Sequence, residues 1–375
     1  EVLMLCDVDL ARVGKAKERF QQAEVVQDFR RVIDRKDIDA VVVSTPDHWH
    51  AIPSVWAMEA GKHVYCEKPL AHDVHEVRVM METARKRKRV TQMGTQIHAG
   101  KNYRRVVELI RAGAIGKVRK VDVWCASRPV PGKRGPEGSI PSTLDYELWV
   151  GPAPMMPYNS KIVPFHWRWW WEFGGGVLAD MACHYMDLPH WALELRHPKR
   201  VFGIGTEMPG TVGQVPAEMK VVFQYPARDG MPPVQLTWWH GITGPRGEDG
   251  QVLNYGYSSG VLFHGEEGEL LADYTRHKLL PEEKYADYKR PEPTIPDSVG
   301  HHKEWIEAIK NGTPTTCNFQ YSGALAETVL LGNVSYHLGR EIEWDHAKGR
   351  VKNVPKKDWE ELIRRPYRGG WTLKP

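Results

Sequence analysis

No two of the five cysteines in this 375-residue chain stand at C-x-x-C spacing; Cys6, Cys66, Cys125, Cys183 and Cys317 are scattered. That excludes the signature of a structural zinc site or a disulfide scaffold and fits a reducing compartment. No apolar run approaches the roughly 20 residues that a membrane-spanning helix needs, so no membrane partner is expected. Charge of one sign is scarce too. Lys and Arg number 51 against 47 Asp and Glu, a formal balance of +4, which gives no case for nucleic acid. The one basic run, Arg85-Lys86-Arg87-Lys88-Arg89, ends a helical pattern, where cations complement the helix dipole. Internal repeats and low-complexity tracts are lacking as well.

What is present is ordinary globular material, 41% hydrophobic and 26% charged, long enough for two domains with sizeable cores. The cysteine usage predicts a cytoplasmic protein. Residue 1 is a glutamate, not a methionine, and an export signal upstream of it is the condition for a periplasmic one.

Residues 1–97 alternate short apolar runs with helical patterns. Val2 to Cys6, Ala40 to Ser44, His63 to Cys66 and Val90 to Met93 read as strands, with Val25-Val26 a short fifth. Ala40-Val41-Val42-Val43 is a β-branched run of the kind buried on both faces of a parallel sheet. Pro53 suits a helix's first turn and Gly61 a helix stop. Val77, Met80, Met81 and Ala84 share one helical stripe. The alternation predicts a doubly wound, Rossmann-type parallel sheet.

From 98 to 375 the pattern changes. Tyr103, Val106, Val107 and Ile110 give a helix stopping near Gly113, followed by alternating stretches at Lys120–Trp124, Glu218–Tyr225 and Val234–Trp239, with Pro- and Gly-rich loops between. This predicts an α+β domain on a large open, mostly antiparallel sheet.

Two segments could carry chemistry. Lys68 follows a short strand and precedes Pro69, which puts its amine at a strand's carboxyl end, where open α/β sheets bind ligands, and biases its backbone to extended geometry. Taken alone, among 51 Lys and Arg, it reads as a surface lysine in a turn. Further on, Gly174-Gly175-Gly176 leads into Asp180 and His184, four apart and so on one helical face. The glycines permit a tight turn and space for a ligand. That pair reads as a local Asp–His hydrogen bond, as a reactive pair, or as half a metal site. The last needs a third ligand from His166, His190 or His240, none at diagnostic spacing, and no metal is expected. Gly174-x-Gly176-x-x-Ala179 is rejected as a dinucleotide fingerprint because the run before it, His166 to Glu172, is not a β-branched strand. Trp167, Trp169, Trp170 and Trp171 form a cluster of the kind found in cores and interfaces, and also stacked on sugar rings.

Asp7 after a strand, Ser44-Thr45-Pro46-Asp47-His48-Trp49-His50, Glu67-Lys68-Pro69 and the Gly-rich Asp180/His184 helix occur in that order. Together they resemble the Gfo/Idh/MocA family of nicotinamide-dependent sugar oxidoreductases, over nearly the whole chain and including Tyr367-Arg368-Gly369-Gly370-Trp371. The resemblance implies an NAD-dependent oxidoreductase acting on a sugar or sugar derivative, with Lys68, Asp180 and His184 as its catalytic set. It implies cofactor contacts from Asp7, Thr45, Pro46, His50, Glu67, Lys68 and Gln96, and substrate contacts from Arg168, Trp170 and His184. His184 takes a hydroxyl proton, Lys68 steadies the alkoxide and keeps His184 neutral by repulsion, and Asp180 orients the hydroxyl or tunes the imidazole. Asp7 favours NAD over NADP. A homodimer or tetramer, pairing through the broad face of the second sheet, is implied too. Some relatives of this kind are NAD-dependent glycoside hydrolases, and a catalytically inactive carbohydrate-binding homologue is a third reading.

One departure stands against the resemblance. The family opens with a strand and a G-x-G-x-x-G turn, whereas this chain opens at what is the second strand. In the order 3-2-1-4-5-6 the strand not present is central, so an N-terminally truncated copy is expected.

Overall fold

The computed structural model describes residues 1–208, 211 and 213–374. The chain begins with β1 (Met4–Cys6), α1 (Gly14–Arg19), β2 (Glu24–Val26), α2 (Arg30–Asp34), β3 (Ala40–Val43), α3 (Ala51–Glu59), β4 (His63–Cys66), α4 (Val74–Arg87) and β5 (Thr91–Met93). These match the predicted strands to within two residues. β3, β4 and β5 pair in parallel in that order, and β1 and β2 form a parallel ladder of their own.

Among the described residues no ladder joins the two. The division falls between β1 and β3, strands that the doubly wound order separates by one. It also explains a failed expectation. Ala40–Ser44 was read as buried on both faces, yet Val42 is 58% exposed, because β3 is an edge strand with β4 on one side only.

α4 shows why its sequence is helical there. Asp73 caps it by accepting from the Glu76 N–H at 2.8 Å, and Glu76 accepts in return from the Asp73 N–H at 3.2 Å, a reciprocal cap. Val77, Met80 and Ala84 are buried as predicted. The basic run closes the helix in solvent, with Arg85 and Lys86 paired to Glu82 and Arg87 to Glu59.

The second part comprises α5 (Lys101–Arg111), β6 (Val118–Cys125), α6 (Tyr146–Val150), α7 (Gly176–Tyr185), α8 (Asp187–Ala192), β7 (Arg200–Thr206), β8 (Glu218–Tyr225), β9 (Val234–His240), β10 (Gly260–Gly265), β11 (Glu269–Ala272), β12 (His277–Leu280), α9 (His301–Asn311), α10 (Phe319–Leu338), β13 (Ile342–Asp345), β14 (Arg350–Val351) and α11 (Lys356–Ile363). Its nine strands form one sheet ordered β12-β11-β10-β6-β9-β8-β7-β13-β14. Among the described residues, only its β6–β9 ladder is parallel.

Alternation along β7 sends Val201 and Gly203 toward α10 and leaves Phe202 and Ile204 37% and 54% exposed on the opposite face. Gly203 is required there: a Cβ would stand 2.8 Å from the Gly332 carbonyl of α10.

α10 binds the two parts together. Its buried Glu327 accepts from Arg78 of α4 at 2.9 Å and from Trp344 of β13 at 3.0 Å. The C-terminal tail also returns to the first part, where Trp371 meets Trp49 edge-on at 4.8 Å. No helix among the described residues is long and apolar enough to cross a membrane.

Candidate active site

β4 ends at Cys66 with its backbone fully paired between β3 and β5, so Glu67 and Lys68 emerge from a fixed base. The peptide between Lys68 and Pro69 is cis. Lys68 Nζ donates to Asp180 Oδ1 at 2.5 Å and to the Asp180 carbonyl at 2.8 Å. The two side chains are 15% and 20% exposed. A strand end of the first part and a helix of the second thus meet in one ion pair.

α7 brings His184 one turn beyond Asp180. No hydrogen bond joins the two side chains among the described residues, so the local Asp–His reading gives way to the Lys68–Asp180 pair. Burial, then the Lys68 cation, push the His184 pKa down to about 4, although Asp180 opposes them. The imidazole is neutral at pH 7 and able to take a proton. Repulsion by Lys68 is real, but burial is the larger cause. Tyr103 donates from its hydroxyl to the His184 carbonyl at 3.0 Å and fixes the backbone there.

The glycine run turns tightly into α7 as predicted, but a side chain at each glycine would meet protein. Gly176 has φ +69°, and a Cβ on it would meet Val215 at 2.8 Å; on Gly174 it would meet the Arg168 backbone at 2.8 Å, and on Gly175 the Ala179 side chain at 2.6 Å. The space is filled by protein. The glycines let α7 start in close contact with Arg168, Ala179 and Val215.

The expected cofactor residues lie at strand ends. Asp7 follows β1, is half-buried, and accepts from the Asp9 N–H at 2.9 Å; burial raises its pKa. Thr45 is exposed and Pro46 half-buried after β3. Glu67 and Gln96 approach each other, Gln96 Nε2 donating to Glu67 Oε1 and to the Tyr65 hydroxyl, both at 3.3 Å. Burial raises the Glu67 pKa against the pull of Lys68 and Gln96. Gly94 lets this carboxylate sit where it does, because a Cβ there would overlap the Glu67 carboxylate.

His50 departs from the expected role. It is 1% exposed, with its ring nitrogens 2.6 Å from the Pro69 carbonyl and 2.8 Å from the Thr45 carbonyl. Burial pushes its pKa down to about 4, and a neutral ring donates to only one of these oxygens. His50 ties the β3 turn to the Lys68–Pro69 turn from beneath.

Of the expected substrate residues, Arg168 reaches the pair: its Nε lies 3.5 Å from Asp180 Oδ1. Trp170 is only 1% exposed, with Arg134 over its ring at 5.4 Å, and offers a sugar no open face. Trp167 and Trp169 are buried as well. For the metal reading, His190 faces the Tyr225 hydroxyl at 2.8 Å and His240 accepts from Trp238 at 3.1 Å. Among the described residues, three ligating groups come together elsewhere, at His197, Glu327 and His346. That carboxylate already accepts from Arg78 and Trp344.

Asp47 belongs to the Ser44–His50 motif, for which the sequence gives it no role of its own. It is 5% exposed, accepts from the Gly175 N–H, and feels Lys68, Asp180 and Arg168; burial raises its pKa to about 7. The signal available in the sequence was an acid within a turn otherwise made of residues that bury.

The chain matches two successive models of one oxidoreductase family. Residues 1–95 match its NAD-binding Rossmann fold and residues 124–202 its C-terminal alpha/beta domain. A levoglucosan dehydrogenase from Pseudarthrobacter phenanthrenivorans is 38% identical over 48% of this chain and 39% of its own length. An alpha-N-acetylgalactosaminidase from Shewanella oneidensis is 30% identical over 32% and 28%. The chain spans less than half the length of the curated relatives it matches. Its fold is that of the WlbA dehydrogenase from Chromobacterium violaceum, solved with NADH and UDP-GlcNAcA, with a TM-score of 0.63 over 92% of this chain and 89% of that one, at 18% identity. With parallel strands in the first part, a mixed sheet in the second and a lysine-bearing strand end between them, the chain is similar to the Gfo/Idh/MocA oxidoreductases over residues 1–95 and 124–202.

Proposed function

We propose that this protein is an NAD-dependent oxidoreductase that moves a hydride between nicotinamide and a hydroxyl-bearing carbon of a sugar or sugar derivative. One observation carries the reading: the Lys68 amine fixed on Asp180, with a neutral imidazole one helical turn away. That set suits a carbon whose hydroxyl must lose a proton while its hydrogen leaves as hydride.

The residues present fit the cofactor. Asp7 offers a carboxylate for ribose hydroxyls, Thr45 and Pro46 an open strand end, and Glu67 with Gln96 an acceptor and a donor within 3.3 Å of each other. NAD, when bound, supplies the hydride acceptor. The chain supplies the rest. His184 takes the hydroxyl proton on a ring nitrogen, a task that typically contributes about 10²–10⁴-fold. Lys68, with one N–H left after its two bonds to Asp180, donates to the oxygen as negative charge develops. Asp180 holds that amine in place. The levoglucosan dehydrogenase relative and the NADH complex of the structural neighbour support the same reading.

The test is NADH formation at 340 nm over a panel of sugars and sugar acids. Lys68→Met should lower kcat/KM by about 10²–10³-fold; a variant as active as the parent would refute the assignment. A second reading, a glycoside hydrolase that oxidises its sugar transiently, is favoured by the galactosaminidase relative. Aryl glycosides separate the two, since phenol released without net NADH belongs to the hydrolase. For the assembly, we infer a homodimer or tetramer built on the open sheet face bearing Phe202 and Ile204, which light scattering of Ile204→Lys against the parent checks.

A further inference from the structure

We propose that the site selects a sugar bearing a carboxylate, with Arg168 as the residue that reads it. The inference rests on the oxidoreductase reading above and narrows its substrate class.

It begins from two cations that meet at one oxygen. Lys68 Nζ and Arg168 Nε lean on the same oxygen, Asp180 Oδ1, at 2.5 and 3.5 Å. Two cations share one carboxylate. Asp47 faces both as well, but with its pKa raised to about 7 by burial it holds only part of a charge at neutral pH. His184 is neutral, and Glu67, beside Lys68, is a further carboxyl that feels the Lys68 charge.

Arg168 is the cation with capacity to spare. Its guanidinium lies 4.2 Å from the Trp167 ring and 4.4 Å from the Phe165 ring, so apolar surface replaces part of its water. Nη1 donates to the Phe165 carbonyl at 3.0 Å, and Nη2 has no protein acceptor among the described residues. The side chain stays 25% exposed. A planar cation with stacked faces and an open donor edge suits a planar anion. Lys68 does not compete for that anion, because two of its three donors are spent on Asp180. A carboxylate presents two oxygens in one plane to that edge, and a phosphoryl dianion would meet stronger repulsion from Asp180 and Glu67.

The experiment compares D-glucuronate and D-galacturonate with their methyl esters, the parent hexoses and hexose 6-phosphates, by NAD-dependent turnover and by calorimetry on the NADH complex. The acid should exceed its ester by about 10- to 100-fold, the range of a hydrogen bond to a charged group. Arg168→Gln should bring that ratio to within about threefold, and Arg168→Lys should keep part of it as a point charge. Equal binding of acid and ester, a preference that survives Arg168→Gln, or a preference for the phosphate would each overturn the proposal. The two readings fail separately. Neutral sugars turned over with no preference for the acid would refute the selectivity alone. An Arg168-dependent preference in binding, with no hydride transfer to any sugar, would uphold it and refute the oxidoreductase.

Discussion

Asp47→Asn should make the protein more stable as pH rises, relative to the parent. Asp47 is 5% exposed, and burial lifts its carboxyl from 3.8 to about 7. In the unfolded chain the same group ionises near pH 4. Between those values the folded state holds a proton that the unfolded state has released, so stability falls as pH rises, by 1.36 kcal/mol for each pH unit. The full penalty above pH 7 is about 4 kcal/mol, of which about 3 accrues between pH 5 and pH 8. Asparagine has the same shape, keeps an oxygen for the Gly175 N–H, and does not titrate. Its new amide hydrogens cost a fixed amount that is the same at every pH. The difference in unfolding free energy, variant minus parent, should therefore grow by about 3 kcal/mol from pH 5 to pH 8. Urea denaturation at four pH values measures it, and the other titrating groups cancel between the two proteins. A difference that stays flat with pH would refute the argument. The same variant should also lose any inflection near pH 7 in kcat/KM, because the charge that Asp47 adds beside Lys68 and Asp180 is gone.

Three further outcomes follow from the geometry. His184→Gln should lower kcat/KM by about 10²–10⁴-fold; in the parent, activity should fall at low pH as the imidazole with its pKa near 4 becomes protonated, and that limb should vanish in the variant's pH profile. Glu327→Gln should cost about 3–5 kcal/mol at neutral pH, the range for breaking a buried ion pair. The Glu327 pKa is depressed despite burial, by His197, His346 and Arg78, so its stabilisation is fully present above pH 4–5 and is lost gradually as pH falls below that; denaturation at pH 3.5 should show a deficit about 1 kcal/mol smaller than at pH 7. Gly94→Ala should displace the Glu67 carboxylate it would otherwise overlap, raising KM for NAD several-fold more than KM for the sugar, as steady-state kinetics would show.

The strand–helix alternation was legible because buried strands leave apolar runs: β4 and β8 fall where His63–Cys66 and Glu218–Tyr225 were read. Lys68, Asp180 and His184 were legible because a proline after a strand and a spacing of four are local signals. What the sequence hid depends on tertiary contact. Val42 looks like a core residue and lies at an edge. Trp170 looks like a sugar platform and is covered. The three glycines before α7 look like ligand space and are packed against Arg168, Ala179 and Val215. The pKa of Asp47 is set by what surrounds the turn, and no spacing rule carries that.

Those surroundings also explain how a short turn can help hold the Lys68–Asp180 pair. The stretch Asp47–His50 lies next to β3 but is fixed by distant pieces of chain. The His48 N–H donates to the Phe173 carbonyl at 3.2 Å, and its ring contacts the Trp149 carbonyl at 2.9 Å. Trp49 donates to the Leu148 and Trp149 carbonyls, both at 3.0 Å. From the C-terminal tail, buried Arg365 donates to the His48 carbonyl at 2.7 Å while pairing with Glu76 at 2.8 Å. A turn bonded only to its own neighbours would be free to shift. This one is bonded to the segment before α7 and to the tail, so Asp47 and the Lys68–Pro69 turn that His50 supports keep their places relative to α7. The cost is a set of buried charges, Glu76, Arg365 and Asp73 among them, that must all be matched at once. The Lys68–Asp180 pair is therefore positioned by the loops and tail as well as by its own strand and helix.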